Sequence, residues 1–255
     1  MRTKKYALSI AGFDPSAGAG ILSDIKTFEA HNVNGLGVCT CLTYQNELKI
    51  NGISWIAAND IIEQLKPLFE QYHIDHVKIG LIENIETLET VASYLQDENP
   101  EIKIIWDPIL KSSSGFDFHG AFDTQNLRTS CKRLFLITPN TYEITHLISD
   151  MTPDIGAEHL SEFSAVLLKG GHSANTDCTD QLFTKDKVIT IKSPRLNTEK
   201  HGTGCVLSSA ITANLANEMS LPAACESAKK YVYKFLQSDH GLVGQHSYEN
   251  AKTHS

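Results

Sequence analysis

Tyr6-Ala7-Leu8-Ser9-Ile10-Ala11, then Gly12-Phe13-Asp14-Pro15-Ser16-Ala17-Gly18-Ala19-Gly20, then Ile21 to His31: an apolar run, a loop of small residues and an amphipathic stretch follow one another directly. The first segment is short and continuously apolar, as suits a strand covered on both faces. The third has the longer period of a helix. Strand, tight loop and helix make the first half of a βαβ unit, and the same succession recurs along the chain.

Further strands are predicted at Gly37 to Thr43, His76 to Ile79, Ile102 to Trp106, Leu134 to Thr138 and Ala165 to Leu168. Helices are predicted at Asp60 to Tyr72, Ile85 to Gln96, Thr141 to Ile148, Gly204 to Glu218 and Pro222 to Leu236. Asn59-Asp60 and Leu221-Pro222 read as helix starts. Gln181 to Phe183 and Val188 to Ile191, joined by Thr184-Lys185-Asp186-Lys187, read as an antiparallel hairpin. The alternation predicts an α/β fold with a mostly parallel central sheet and helices on both faces. One domain over residues 1–255 is expected, with a polar, irregular tail from about His240.

Of the 255 residues, 41% are apolar, enough for one sizeable core. A net charge of −8 argues against nucleic acid as a partner, because backbone binding needs clustered Lys and Arg. No run approaches the ~18 apolar residues of a membrane span. Asp14 and the small-residue loop interrupt the apolar start too early for a secretory signal. The six cysteines include no C-x-x-C pair, which predicts reduced thiols and a cytoplasmic setting. Cys39 and Cys41, two apart on a strand, are expected to share one buried face.

Two glycine-containing turns open helices. In the first, Gly12 to Gly20, small residues let a ligand approach the main chain, although an ordinary tight turn reads equally well. It lacks the third glycine of a dinucleotide fingerprint, since position 23 is Ser23, and the chain has no P-loop. The second, His201-Gly202-Thr203-Gly204-Cys205, is more specific. Successive amides in such a turn make a concavity for anions, and the helix dipole adds to the attraction. A phosphoryl group in transfer carries its charge on oxygens that such donors would stabilise. The competing reading is a turn that only packs a helix on the sheet.

Cys205, at the positive end of that helix, is expected to have a lowered pKa and to accept a proton from an attacking hydroxyl, with an inert buried cysteine as the alternative. Thr138-Pro139-Asn140-Thr141-Tyr142-Glu143 contains a capping box and, at a strand's carboxyl end, a carboxylate suited to Mg²⁺. Asp107-Pro108, Lys169-Gly170-Gly171-His172 and Gln45-Asn46 also follow strands, at the edge where open α/β sheets collect ligands. Singly, each of these is an ordinary turn residue.

Together these stretches resemble the hydroxymethylpyrimidine and phosphomethylpyrimidine kinases, a ribokinase-like branch close to pyridoxal kinase. The resemblance runs from about Ala7 to Ala216. It is densest at Ile10 to Gly20, Asp24 to Phe28, Thr43 to Asn46, Lys78-Ile79-Gly80, Thr138 to Asn140 with Glu143, Lys169 to His172, and His201 onward. It implies a three-layer sandwich and transfer of the γ-phosphate of ATP to a small heteroaromatic alcohol, 4-amino-5-hydroxymethyl-2-methylpyrimidine, and to its monophosphate. It implies Gln45, Gly12, Asp14, Ala19 and Asp24 around the substrate, and Gly202, Thr203, Gly204 and Cys205 over the transferring phosphate. It also implies Lys169, Asn140 and Gly171 at the nucleotide, Mg²⁺ near Asp107 and Glu143, and a homodimer.

The chain departs from the family pattern at Phe13 and Ala17, at Leu81 to Asn84, at Ser113 in place of a lysine, and at Glu199-Lys200 in place of Asn-Thr. Two other readings remain open: a pyridoxal or pyridoxine kinase on the same site, and a catalytically silent ligand-binding protein of the same fold.

Overall fold

The computed structural model describes residues 4–112, 115–119, 126–170 and 177–247. Nine strands form one sheet: β1 (Tyr6–Phe13), β2 (Asn34–Gln45), β3 (Ile50–Trp55), β4 (His76–Ile79), β5 (Lys103–Trp106), β6 (Leu136–Ile137), β7 (Ala165–Leu168), β8 (Asp177–Phe183) and β9 (Val188–Pro194). Their order is β3-β2-β1-β4-β5-β6-β7-β8-β9. The pairs from β2 through β7 are parallel, while β3, β8 and β9 join antiparallel at the edges.

The helices are α1 (Gly20–Ala30), α2 (Ala58–Gln71), α3 (Ile85–Glu98), α4 (Leu127–Cys131), α5 (Thr141–Leu147), α6 (Pro153–Ser161), α7 (Thr203–Ala216) and α8 (Leu221–Leu236). Alternating side chains of the buried strands feed separate cores on the two faces. Ile104, Trp106, Ile137, Val166 and Leu168 pack with α2 to α6, whereas Ile105, Leu136 and Leu167 pack with α7 and α8. Phe28 of α1 joins Ala213 and Ala216 of α7 on that second face. The result is the expected three-layer sandwich.

Several boundaries differ from the sequence reading. Strand β3 was not predicted, because Asn51-Gly52 inside Ile50–Trp55 reads as a turn; helices α4 and α6 also went unpredicted. Strand β6 has two residues where five were expected. Helix α2 starts after Ala57 with no side-chain cap, so Asn59 and Asp60 lie inside it. Cys39 and Cys41 do not share a face. Ala11 pairs with Cys39 but Gly12 with Cys41, and the bulge at Thr40 shifts the alternation, leaving Cys39 half-buried and Cys41 buried. The hairpin β8–β9 is present and longer than predicted, and residues 240–247 form no regular element, as expected.

Candidate active site

The site is built where β1 runs into α1 and where the chain enters α7. Asp14, buried at the end of β1, spends its carboxylate inside the protein. Oδ1 accepts from the Ser16 amide at 2.9 Å and the Ser16 hydroxyl at 2.8 Å; Oδ2 accepts from the Ala19 amide at 2.9 Å and lies 2.9 Å from His201 Nε2. Burial would raise its pKa, but the hydrogen bonds from His201, Ser16 and Gln45 hold it well below the usual carboxylate range. Asp14 thereby clasps the two turns together, and the Ala19 amide is bound into the same clasp.

Gly202 holds the other side of the junction. Its φ of +76° favours glycine, and a Cβ there would stand 2.0 Å from the carbonyl oxygen of Gly18. Gly202 caps α7, and Thr203, Gly204 and Cys205 form its first turn. Among the described residues, no acceptor pairs with the amides of Gly202, Thr203, Gly204 or Cys205. Those are the amides a helix start leaves unpaired. His201 to Gly204 are half-buried, so the turn meets the outside, and Cys205 lies behind it at 5% exposure.

Burial reverses the expected acidity of Cys205. It pushes the thiol up to about 11, with the Lys78 ammonium and the Gly20 amide pulling the other way and Asp24 and Asp107 adding to the rise. Lost hydration is the largest of these influences.

Asp24 is a second internal carboxylate. It is fully buried: Oδ2 accepts from Ser9 at 2.6 Å and from Lys78 Nζ at 2.8 Å, and Oδ1 accepts from Ser209 at 2.7 Å. Both oxygens being occupied, it anchors α1 to β1, β4 and α7. Lys78, likewise sealed, has its pKa raised: burial would lower it, but Asp24, Cys205 and Asp107 win. A lysine between Val77 and Ile79 in the buried strand His76–Ile79 was the sequence signal for this pair.

On the other side of α7, Lys169 Nζ donates to Asp107 Oδ1 at 2.8 Å and lies 3.5 Å from Glu143 Oε2. Asp107 accepts further bonds from Thr138 at 3.1 Å and Ser208 at 3.2 Å. Against its burial, the ammoniums of Lys169 and Lys78 hold Asp107 below the usual range. Glu143 goes the other way, to about 7, because burial outweighs the attraction of Lys169. Lys169 reaches the anion turn, since a Cβ on Gly204 would stand 3.5 Å from its Nζ.

Asn140 and Glu143 form the reciprocal capping box, with Asn140 Oδ1 accepting from the Glu143 amide at 2.8 Å and Glu143 Oε2 from the Asn140 amide at 2.7 Å. Glu143 Oε1 stays outside that box. The two carboxylates thus converge on the Lys169 ammonium, and among the described residues no third His, Cys, Asp or Glu joins them as a metal-ligand group.

Gln45, at the end of β2, is half-buried, and its Oε1 is buried with no protein partner. Gly12 is buried, and a Cβ there would meet Cys41 Sγ at 2.7 Å. Gly171, His172 and Ser113 lie outside the described residues. A groove of about 770 Å³, lined by Lys192, Asn214, Tyr231 and Lys234, lies against α8 away from all this chemistry. Unpaired amides, a thiol and clustered carboxylates with lysine argue for the strand ends instead. The sequence reading named Lys78, Thr138 and Lys200 without giving them a contact and missed the Asp14–His201 clasp and Ser208; Lys200 Nζ donates to Asp239 O and Gly241 O, both at 2.7 Å.

Residues 14–249 match the family described as phosphomethylpyrimidine kinase. A hydroxymethylpyrimidine/phosphomethylpyrimidine kinase of Staphylococcus aureus (strain MSSA476) is 36% identical over 244 residues, 91% of this chain and 88% of its own. Among solved structures, the phosphomethylpyrimidine kinase of Clostridium difficile 630 aligns with a TM-score of 0.76 at 29% identity, covering 91% of this chain and 99% of that one. The pyridoxal kinase of Bacillus subtilis, solved as an ADP complex, aligns with a TM-score of 0.84 at 25% identity, covering 96% and 98%.

Proposed function

Because the chain belongs to the phosphomethylpyrimidine kinase family, we propose that it transfers the γ-phosphate of ATP to the hydroxymethyl oxygen of 4-amino-5-hydroxymethyl-2-methylpyrimidine and then to the resulting monophosphate. The observation that carries this reading is the set of unpaired amides from Gly202 to Cys205, open to the outside and flanked by Lys169 on one side and Cys205 on the other. Donors fixed in advance at the position where charge develops lower a phosphoryl-transfer barrier most.

Gln45 Oε1, buried and unpaired, accepts from the ring amino group and orients the ring over Gly12, with Phe13 at the rim. The hydroxymethyl oxygen then points at the γ-phosphorus. A new P–O bond forms there as the bond to the bridging oxygen breaks and ADP departs. The hydroxyl proton goes to Cys205 as thiolate, a minor form at neutral pH because the thiol sits near 11. Lys169 and Asn140 face the nucleotide phosphates. Asp107 and Glu143 would hold Mg²⁺, directly or through water, and the ion would supply charge neutralisation across those phosphates.

A homodimer and a cytoplasmic setting belong to the same proposal. Leu42, Tyr44 and Leu48 stand exposed together at the β2–β3 edge, an apolar patch suited to a second copy. The six cysteines are free, and among the described residues no helix is long and apolar enough to cross a membrane.

The likeness to pyridoxal kinase in shape makes that activity the second reading. An ATP-coupled assay against the pyrimidine alcohol, its monophosphate, pyridoxal and pyridoxine decides between them through kcat/KM. The highest value is expected for the pyrimidine alcohol; a higher value for pyridoxal would transfer the assignment. Ligand binding without ATP consumption would leave only a silent binding protein.

A further inference from the structure

Lys200 occupies a position that the phosphate chemistry described above does not use. Its side chain is 5% exposed, and Nζ donates to the carbonyls of Asp239 and Gly241, each at 2.7 Å. Both acceptors are neutral main-chain groups, so these bonds fix where the backbone runs and do not neutralise a charge. The next residue continues the join, with the His201 amide donating to the Leu242 carbonyl at 2.9 Å. Beyond it, Gly244 is wedged against the Lys200 stem and the Phe235 ring, where a Cβ would stand 2.8 Å and 2.5 Å from them. His246 closes the segment on Tyr231 at 3.1 Å and on Thr27 at 3.3 Å.

The segment Asp239–His246 therefore straps the chain immediately before the anion turn. On its other side that turn is held by Thr203 Oγ1 donating to the Lys200 carbonyl at 2.8 Å and by the contact of His201 with Asp14 at 2.9 Å. Lys200 is the residue through which strap and turn are joined by side chain and main chain together.

We propose that Lys200 is a positioning residue for phosphoryl transfer: by stapling Asp239–His246 to the loop before α7, it holds the amides of Thr203 to Cys205 in the geometry the transferring phosphate needs. The inference rests on the phosphotransfer reading of that turn. A staple of this kind acts on the transition state, because the pyrimidine is held elsewhere, at Gln45, and the nucleotide phosphates at Lys169.

The test compares parent, Lys200→Met, Lys200→Arg and Gly244→Ala in ATP-dependent phosphorylation of the pyrimidine alcohol, with inhibition by ADP alone and by ADP plus aluminium fluoride. Lys200→Met should lower kcat about tenfold or more with KM for the alcohol changed less than about twofold, since small misplacements of catalytic groups cost rate before binding. Inhibition by ADP with aluminium fluoride should weaken by a similar factor while ADP alone is unaffected. Lys200→Arg should recover most of the rate. Gly244→Ala, which keeps the lysine but crowds its stem and the Phe235 ring, should show the same signature and stands in if Lys200→Met does not fold.

A kcat for Lys200→Met or Gly244→Ala within about twofold of the parent would overturn the proposal, because misplacement of catalytic groups lowers rate. So would a loss in which KM, ADP affinity and melting temperature move together and arginine rescues nothing. If the parent consumes no ATP with the pyrimidine alcohol, the functional reading fails separately, and Lys200 is judged by binding: the rise in melting temperature with ADP plus aluminium fluoride over ADP alone should be smaller in Lys200→Met than in the parent, and an equal rise would overturn the proposal.

Discussion

The turns that open α1 and α7 look alike in sequence, small and glycine-bearing, yet they allocate their amides in opposite ways. In the first, the Ser16 and Ala19 amides are consumed by Asp14. In the second, the amides from Gly202 to Cys205 have no acceptor among the described residues. A carboxylate folded back into its own turn makes scaffold; a turn without one remains available to an external anion. The two are not independent, since the same Asp14 grips His201 and Gly202 lies against Gly18.

The largest effect should come from the second turn. Gly202→Ala introduces a Cβ where Gly18 O already stands, at a φ hostile to other residues, and should cut kcat by about 10²-fold or more, as loss of oxyanion donors does. Steady-state turnover checks this, and a kcat near the parent's would place the anion elsewhere. Cys205→Ala should cost ~10²-fold. With the thiol near 11, the parent's kcat/KM should climb between pH 7 and 9, and the climb should vanish in the variant. A variant within about threefold of the parent would remove Cys205 from the chemistry.

The first turn should answer in stability. Asp14→Asn should lower the unfolding free energy by about 1–3 kcal/mol in urea titration, with a smaller effect on kcat. Because the folded pKa of Asp14 is depressed, its contribution is present above the unfolded value and lost as pH falls through the folded one. Parent and variant should therefore converge in acid, and a constant difference would contradict the clasp.

The strap offers a gentler test. Burial, then the charges of Lys26 and His31, lower the His246 pKa to about 4. A released imidazole protonates near 6.5, so docking weakens as pH falls from there toward the folded value. Amide exchange at residues 239–247, corrected for its intrinsic pH dependence, should speed up below pH 6.5 in the parent and not in His246→Asn. Smallest is Ala17→Gly. Ala17 has φ +57°, and relieving it should add roughly 1 kcal/mol, read as a higher urea midpoint.

The layered fold was legible because buried parallel strands are continuous apolar runs and the helices between them are long. Strand β3 escaped because Asn51-Gly52 carries a turn signal that pairing with β2 overrides. The positions of Gly202 to Cys205 and Lys169 could be read from strand and helix ends. The internal partners of Asp14 and Asp24 could not, because they lie far off in sequence, at His201 and Lys78. The Cys205 acidity follows from burial under other elements, which the local helix position does not reveal, and it fits the buried-cysteine alternative better than the lowered pKa.

A crystal structure of the protein with ADP, aluminium fluoride and the pyrimidine alcohol locates the transferring group directly. The aluminium fluoride should lie about 2.7–3.1 Å from the amides of the turn opening α7, with the alcohol oxygen on its far side near Cys205. Fluoride bound at the first turn, or a second turn whose amides stay uncontacted, would contradict the assignment of phosphoryl transfer to Gly202–Cys205.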